Sequence, residues 1–181
     1  MSKRLSILIC GLKSREQLLM NLAKTLRYQG TGDVEILANI DERELPIGAK
    51  RNQLLSKAVG DYVCFVDDDD SVHPYYVTYI LKAIETNPDC VGIAGIITEH
   101  KIGPKKFIHS LEHKDWFEKD GIYYRCPNHL NPIKRDIACS IGFSEVSYQE
   151  DKAFSLRVKD VLKTEVFIPE PIYFYYPSHQ K

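Results

Sequence analysis

Several features that define familiar protein classes are missing from this sequence. Its five cysteines are odd in number and form no C-x-x-C pair, so neither a zinc site nor a disulfide scaffold is predicted, and reduced thiols are expected. No apolar run approaches the about 20 residues that cross a bilayer, and the short run after Lys3 and Arg4 lacks the cleavage site of a secretory signal. We therefore expect a cytoplasmic protein without a transmembrane segment.

An excess of charge of one sign is also missing. The 181 residues include 24 Lys and Arg against 25 Asp and Glu, which gives a formal net charge of −1. A general polyanion binder is not predicted, because non-specific nucleic-acid affinity comes mostly from phosphate neutralisation. The absence of GxxxxGK[ST] argues against P-loop kinases and ATPases. With 44% hydrophobic residues the chain can bury a core, and we expect a single domain over residues 1–181.

Apolar runs and helical patterns alternate through the first half of the chain. Four runs predict strands: Leu5–Cys10, Val34–Ile40, Tyr62–Val66 and Val91–Ile97. Helices are predicted after a capping box at Ser14 and Gln17, over Gly48–Val59, and after Pro74. This order predicts an α/β fold in which helices flank a single Rossmann-like, mostly parallel sheet.

The second half is predicted to be less regular. Residues 99–135 are polar and aromatic with three prolines, and we predict an irregular stretch there. A helix is predicted over about Glu150–Lys159, followed by two short strands near Glu165–Ile168 and Ile172–Tyr176.

Four consecutive carboxylates, from Asp67 to Asp70, directly follow the third predicted strand. Like charges packed together raise one another's pKa or require a cation, and Mg²⁺ typically takes one or two carboxylates together with substrate phosphate oxygens. Ligands of such sheets bind beyond the carboxyl ends of the strands, where Asp41 also lies. The pattern predicts a site for Mg²⁺ or Mn²⁺, and a solvated acidic loop is the alternative.

Three other places carry candidate residues. Lys50 and Arg51, at a predicted helix start, could face phosphate, although a solvated helix face is the favoured interpretation of Lys50. Glu150 and Asp151 begin a predicted helix and are either dipole partners or general bases. His179 is either an exposed residue near the chain end or a metal ligand.

Two blocks of the sequence resemble the GT-A glycosyltransferases of family two. Gly48–Asn52 (GAKRN) and Ala58–Asp70 (AVGDYVCFVDDDD) are similar to the family signature "G…ARN…A.GEYI.FLDxDD". Asn131–Asp136 (NPIKRD), Ile141–Ser144 (IGFS) and the pair Glu150–Asp151 resemble its "RR…IGGFDE…ED..L..R" stretch. The resemblance covers nearly the whole chain and implies the GT-A nucleotide-diphospho-sugar transferase fold. It also implies a nucleotide-sugar-binding half over residues 1–98 and an acceptor-binding half over 99–181.

The resemblance implies roles for most of the candidates. Asp67 and Asp69 match the DxD pair that binds the metal and the sugar diphosphate, with Asp70 as a neighbouring ligand; His179 stays a further metal candidate. The expected nucleotide-sugar contacts are Asp41, Arg51, Asp67 and Asp68, although Asp68 is also interpreted as merely solvated. Asp151 matches the catalytic base, with Glu150 as the alternative base.

The implied reaction is an inverting, metal-dependent transfer from a nucleotide-diphosphate sugar, expected to be a UDP-sugar, to an acceptor hydroxyl. The acceptor stays open among a polysaccharide precursor, a hydroxylated DNA base and a protein. It is expected to meet a mixture of cations and aromatic rings, unless these form an ordinary solvated loop: Lys101, Lys105, Lys106, Phe107, His109, His113, Lys114, Trp116 and Phe117. A nucleotidyltransferase and a non-catalytic nucleotide-sugar binding module are the alternatives, and oligomerisation is left open.

Overall fold

The computed structural model describes residues 3–30, 32–99 and 103–177. The strands are β1 (Leu5–Leu12), β2 (Val34–Asp41), β3 (Tyr62–Phe65), β4 (Ser71–Val72), β5 (Cys90–Glu99), β6 (Gly103–His109), β7 (Phe117–Lys119), β8 (Ile122–Arg125), β9 (Ile133–Lys134) and β10 (Glu165–Tyr175). The helices are α1 (Glu16–Gln29), α2 (Ile47–Lys57), α3 (Tyr76–Ala83), α4 (Arg135–Ile141) and α5 (Glu150–Val158). None of the helices in these ranges combines the length and the hydrophobicity that a membrane span requires.

The first half of the chain forms the parallel part of one sheet. Strand β1 is buried along almost its whole length and lies between β2 and β3, pairing with both in parallel. Such a strand needs apolar side chains on both faces, which explains the unbroken run of the sequence. The carboxyl ends of the three strands therefore lie at one edge of the sheet, where Asp41 ends β2 and the aspartates follow β3. This arrangement agrees with the expectation that Asp41 and the aspartate run lie together beyond the carboxyl ends of the strands.

Two apolar layers cover the two faces of the sheet. Helices α1 and α3 pack on one face around Leu5, Ile7 and Ile9 of β1. Helices α2, α4 and α5 pack on the other, around Leu8 and Cys10 of the same strand. Consecutive β1 side chains enter the two layers in turn, because successive side chains of a strand point to opposite faces of the sheet.

The beginning of α1 differs from the prediction. A short 3₁₀ turn, Lys13–Arg15, precedes the helix, and no side chain caps its first N–H groups, so the predicted capping box is wrong. The buried face of α1 is formed by Leu19, Leu22, Ala23 and Leu26, whereas Leu18 is 48% exposed.

The prediction of an irregular stretch over residues 99–135 is also wrong, because this region contributes four strands to the sheet. Strand β6 pairs antiparallel with β5, and β8 pairs with both β6 and β7. In β6 only Phe107 and His109 are buried. The alternation is hidden in the sequence because the half-buried Lys105 and Lys106 precede Phe107 and because the next buried position is a histidine.

The last strand is longer than predicted. The two expected short strands form one strand, β10, which is parallel to β5 and has register shifts around Pro171. Its second half also pairs with β4, placing Tyr173 opposite Val72, just after the aspartate run. The C-terminal part of the described chain thus lies against the carboxyl end of β3.

Candidate functional site

A pocket of about 880 Å³ opens at the carboxyl ends of β1, β2 and β3. One part of its lining, which we call the sheet side, consists of the loops that follow these three strands and the start of α2. Another part, which we call the α5 side, consists of Trp116, Arg125 and the first turn of α5. The predicted residues Asp41, Arg51, Asp67, Asp68, Asp69, Glu150 and Asp151 all line this one pocket. The structure therefore brings together candidates that are more than 100 positions apart in the sequence.

The four aspartates have different surroundings. The side chains of Asp67 and Asp69 are 28% and 21% exposed, whereas that of Asp68 is 1% exposed. Asp70 is buried and does not line the pocket. The interpretation of Asp68 as a solvated residue is wrong, because its carboxylate is enclosed by protein.

Arg15, which the sequence interpretation missed, neutralises two of these carboxylates. Its Nε lies 3.1 Å from Asp68 Oδ2, and its Nη2 lies 2.6 Å from Asp68 Oδ1, which makes a two-pronged ion pair. Its Nη1 also binds Asp69 Oδ2. The only signal in the sequence is position, since Arg15 follows the carboxyl end of the first strand, where ligands of such sheets bind.

Asp70 is held by the C-terminal strand. The hydroxyl of Tyr173 donates to Asp70 Oδ2 at 2.6 Å, and the backbone N–H of Tyr176 donates to Oδ1 at 2.8 Å. Burial, followed by the charge of Asp67, raises the pKa of Asp70 to about 8 despite these hydrogen bonds. The Tyr173 hydroxyl also accepts the backbone N–H of Asp67 at 3.1 Å, so one buried tyrosine fixes the course of the aspartate run.

Arg51 connects the two acidic motifs. Its Nη2 lies 3.5 Å from both Asp67 Oδ1 and Glu150 Oε1, and its side chain is 5% exposed. The guanidinium lies over the rings of Phe65 and Phe143, at 5.3 Å and 5.4 Å from their centroids. Glu150 therefore faces a buried cation, which favours a structural role over that of the alternative base.

Lys50 is buried, and the favoured interpretation of a solvated helix face is wrong. Its Nζ donates to Asp41 Oδ1 at 2.7 Å and to the Gly11 carbonyl at 2.5 Å, which joins the ends of β1 and β2. Desolvation raises the pKa of Asp41, but the hydrogen bonds from Lys50 and from two backbone N–H groups outweigh it and lower the pKa below its ordinary value. Asp41 thus enters the pocket wall as a carboxylate.

Asp151 lies in the first turn of α5, on the pocket wall. Its Oδ1 accepts the backbone N–H of Lys152 at 2.7 Å, and no ion pair within 4.0 Å forms at this carboxylate in the described part of the chain. The nearby Arg125 interacts with it electrostatically: burial lowers the pKa of Arg125, and the charge of Asp151 opposes that change. A half-buried carboxylate with an uncommitted oxygen can accept a proton from a bound hydroxyl.

Two buried histidines form part of the pocket floor. The ring nitrogens of His109 and His129 have no hydrogen-bond partner among the described residues, and neither does Nδ2 of Asn128. His129 Nε2 lies 3.7 Å from Asp67 Oδ2. Burial, and then the charge of Arg125, lowers the pKa of His109 well below its ordinary value, so this ring is neutral. Buried polar atoms without partners need water or a ligand.

The cation wall of the α5 side consists of Trp116, Arg125 and Lys152. The guanidinium carbon of Arg125 lies 4.3 Å from the centroid of the Trp116 ring, and Lys152 Nζ lies 5.8 Å from it. Of the other residues of the expected acceptor stretch, Phe107 and His109 are buried but also line the pocket, whereas Lys105 pairs with Glu118. Lys101 lies outside the described residues.

The sheet side fits a divalent cation with a small protein shell. No three His, Cys, Asp or Glu side chains in the described ranges are grouped closely enough to form a complete site. Asp67 and Asp69 nevertheless lie partly exposed at the pocket, and Mg²⁺ typically uses only one or two carboxylates with substrate phosphates and water. Both oxygens of Asp70 already accept hydrogen bonds. His179, the remaining predicted ligand, lies outside the described residues.

Known proteins were compared with the chain by sequence and by fold. The family model described as glycosyl transferase family 2 matches residues 23–149. No curated protein matches the chain. Among solved structures, S. aureus TarS 1-349 in complex with UDP has a TM-score of 0.74 at 14% identity, covering 97% of this chain and 61% of that one. The TarS 1-349 complex with UDP-GlcNAc has a TM-score of 0.71 at 14% identity, covering 98% and 60%.

A further S. aureus TarS structure has a TM-score of 0.72 at 14% identity, covering 97% of this chain but 37% of that one. The chain therefore spans less than two thirds of the length of these structures. At this identity the likeness concerns the fold, and the predicted GT-A fold is confirmed.

Proposed function

Because the chain belongs to glycosyl transferase family 2, we propose that it transfers a sugar from a nucleotide-diphosphate sugar to an acceptor hydroxyl, with inversion at the anomeric carbon. The observation that carries this proposal is the chain of contacts from Asp67 through Arg51 to Glu150, next to Asp151. It ties the predicted donor motif and the predicted base motif to one pocket. A nucleotidyltransferase would not require this second motif.

The sheet side supports binding of the nucleotide and the diphosphate. Asp41 is held as a carboxylate by Lys50, an acceptor suited to the N–H groups of a base. Arg15 and Arg51 are cations beside the aspartates, where phosphates of the donor would lie. The TarS complexes contain UDP and UDP-GlcNAc, which supports a UDP-sugar as the donor.

A divalent cation, Mn²⁺ or Mg²⁺, would be held by Asp67 and Asp69 together with phosphate oxygens of the donor. When bound, it supplies Lewis-acid stabilisation of the charge that develops on the departing diphosphate. The pocket floor offers the ring nitrogens of His109 and His129 and the Nδ2 of Asn128, which make no hydrogen bond within the described residues and suit the hydroxyl groups of a sugar.

Asp151 is proposed as the general base. The acceptor oxygen attacks the anomeric carbon while its proton passes to the Asp151 carboxylate. The bond between the anomeric carbon and the diphosphate oxygen breaks, and its electron pair leaves with the nucleoside diphosphate. Glu150 is not proposed for this role, because it is buried against Arg51.

Donor binding and transfer can be tested separately. UDP-, GDP- and dTDP-sugars are screened by thermal unfolding with and without Mn²⁺, and a donor at 100 times its dissociation constant should add about 2.7 kcal/mol to the free energy of unfolding. Stabilisation by none of them, with or without the metal, would overturn the proposed donor class.

The base is tested with Asp151→Asn. A general base contributes about 10²- to 10⁴-fold, so we expect release of the nucleoside diphosphate to slow by about 10³-fold while donor-induced stabilisation is unchanged. The matched control is Asp160→Asn, an exposed carboxylate just beyond α5 that does not line the pocket. Near-normal turnover of Asp151→Asn would show that another group takes the proton.

A further inference from the structure

The charges of the pocket are not balanced in the same way on its two sides. On the sheet side, Asp41 pairs with Lys50, Asp68 and Asp69 with Arg15, and Asp67 with Arg51. Arg125 and Lys152 of the cation wall have no carboxylate within 4.0 Å in the part of the chain that the structure describes. Two cations therefore face the pocket without an ion-pair partner.

Trp116 holds these cations in place. Its Nε1 donates to Ser155 Oγ at 3.1 Å, and the Ser155 hydroxyl donates to the Cys126 carbonyl at 3.2 Å. Ser155 is fully buried, so the ring orientation is set by the interior of α5 rather than by solvent. A cation over an indole face is attracted by the ring, which keeps Arg125 and Lys152 at the pocket wall. The wall is consequently a preformed feature of the fold.

Its position beside Asp151 indicates what it recognises. Lys152 is the next residue along α5, and Arg125 is close enough to Asp151 for their charges to interact. This inference rests on the proposed role of Asp151 as the general base. In that role, Asp151 would have the acceptor hydroxyl beside its carboxylate. We propose that the acceptor carries an anionic group, a phosphate or a carboxylate, close to the hydroxyl that is glycosylated, and that Arg125 and Lys152 bind this group.

The chemistry of the two cations supports this choice. A guanidinium presents parallel N–H donors that match a carboxylate or a phosphate. A neutral polyol would leave both charges at the pocket wall without a counter-ion. If Arg125 served only to balance Asp151, the charge of the acceptor would have no influence on transfer.

The experiment compares acceptors that share a polyol skeleton and differ in charge. Sorbitol, sorbitol 6-phosphate and gluconate are offered to the full chain with the UDP-sugar that stabilises it most. Release of UDP above the acceptor-free hydrolysis is measured for the wild type, Arg125→Gln and Lys152→Gln. Lys159→Gln is the control, because Lys159 lies beyond the end of α5, binds the Lys114 carbonyl and does not line the pocket.

We expect at least one anionic acceptor to accelerate UDP release while sorbitol does not. Comparison of sorbitol 6-phosphate with gluconate then shows whether the pocket prefers a phosphate or a carboxylate. Loss of one charge-assisted contact predicts an increase in KM of about tenfold for Arg125→Gln and a smaller one for Lys152→Gln. The thermal stabilisation by the donor alone should stay near the wild-type level in both variants, because the donor is proposed to bind on the sheet side. The Lys159→Gln control should match the wild type.

Binding gives a second readout that does not depend on turnover. In the presence of UDP, sorbitol 6-phosphate or gluconate should raise the unfolding temperature of the wild type and of Asp151→Asn, but not that of Arg125→Gln. Equal use of neutral and anionic acceptors, or no effect of either anion on turnover and stability, would overturn the inference while leaving donor hydrolysis intact. Absence of both donor binding and donor hydrolysis would instead count against the proposed function itself.

Discussion

On the sheet side of the pocket the four aspartates of the wall are joined to cations of the same chain. On the α5 side Arg125 and Lys152 lie near the Trp116 ring and meet no carboxylate within ion-pair distance in the described ranges. The first arrangement offsets most of the acidic charge within the protein, since three cations face four aspartates. The second arrangement leaves two positive charges that an anionic ligand could neutralise. A ligand that brings its own anion and a metal thus suits the first side, and an anionic ligand without a metal suits the second.

The difference predicts unequal costs when the buried or half-buried arginine of each side is removed. Arg51→Met leaves the buried Glu150 and the partly exposed Asp67 without their cation, and breaking a buried pair costs about 3 to 5 kcal/mol. We expect the free energy of unfolding to fall by about 3 kcal/mol, the low end, since His129 stays near Asp67. Urea unfolding measures this loss.

Arg125→Met is the matched variant on the α5 side. Arg125 forms no ion pair with the described residues, so this variant removes mainly the contact with Trp116, and the expected loss is about 1 kcal/mol. Equal losses for the two variants would break the comparison. Recovery of stability in the double variant Arg51→Met/Glu150→Gln would sharpen it, because that change removes one of the two stranded charges.

The second prediction concerns Arg15, whose guanidinium already binds the carboxylates of Asp68 and Asp69. Arg15→Gln removes the partner of Asp68, whose side chain is almost completely buried, and of Asp69. Because Arg15 itself is partly exposed, we expect a loss of about 1 to 2 kcal/mol rather than the full cost of a broken buried pair. Mn²⁺ should restore stability to this variant by more than it stabilises the wild type, since Arg15 no longer competes for Asp69.

Thermal unfolding with and without Mn²⁺, in the absence of donor, measures this competition. Arg27→Gln is the control, an exposed cation in the last turn of α1 and away from the pocket. Identical metal-induced shifts in wild type, Arg15→Gln and Arg27→Gln would mean that Asp69 does not receive the metal.

Most of the sheet side could be predicted from the sequence because its signals are local. An apolar run buried on both faces predicts a parallel strand, and the carboxyl ends of parallel strands meet at one edge, which is enough to gather Asp41 and the run after β3. The strands of residues 103–134 escaped prediction because few apolar residues mark their buried positions, as in β6, where Lys105 and Lys106 precede Phe107 and the next buried residue is His109. A half-buried strand is recognised by the alternation of apolar and polar residues, and that signal is lost where a buried position is polar, as at His109.

The partners of the acids could not be predicted, because they depend on contacts between distant parts of the chain. Arg15 reaches Asp68 from 53 positions away, and Tyr173 reaches Asp70 from 103 positions away. Lys50 was misinterpreted for the same reason, since a lysine at a helix start is ordinarily solvated and only the carboxyl end of β1, with the Gly11 carbonyl, gives it a buried partner. The sequence is enough to locate the candidate carboxylates, but the cation that pairs with each of them is known only from the folded structure.

The third and smallest predicted effect is a pH dependence on the sheet side. The pKa of Asp41 is lowered in the folded chain from its ordinary value of 3.8, in part by Lys50. A carboxyl group with a lowered folded pKa contributes stability above its unfolded pKa, and that contribution is lost as the pH falls through the folded pKa. In Lys50→Met the pKa of Asp41 should move back toward its ordinary value, so this part of the acid dependence should shrink.

Urea unfolding between neutral pH and the acid range measures the difference between wild type and variant. We expect the stability of the wild type relative to Lys50→Met to be constant above about pH 5 and to diminish as the pH falls below 3.8, the ordinary pKa of Asp41. Lys57→Met, at the exposed end of the same helix, should instead follow the wild-type curve at a fixed offset. If the curves for Lys50→Met and Lys57→Met were parallel, the pair of Asp41 and Lys50 would have no electrostatic weight, and the sheet side would owe its balance to Arg15 and Arg51 alone.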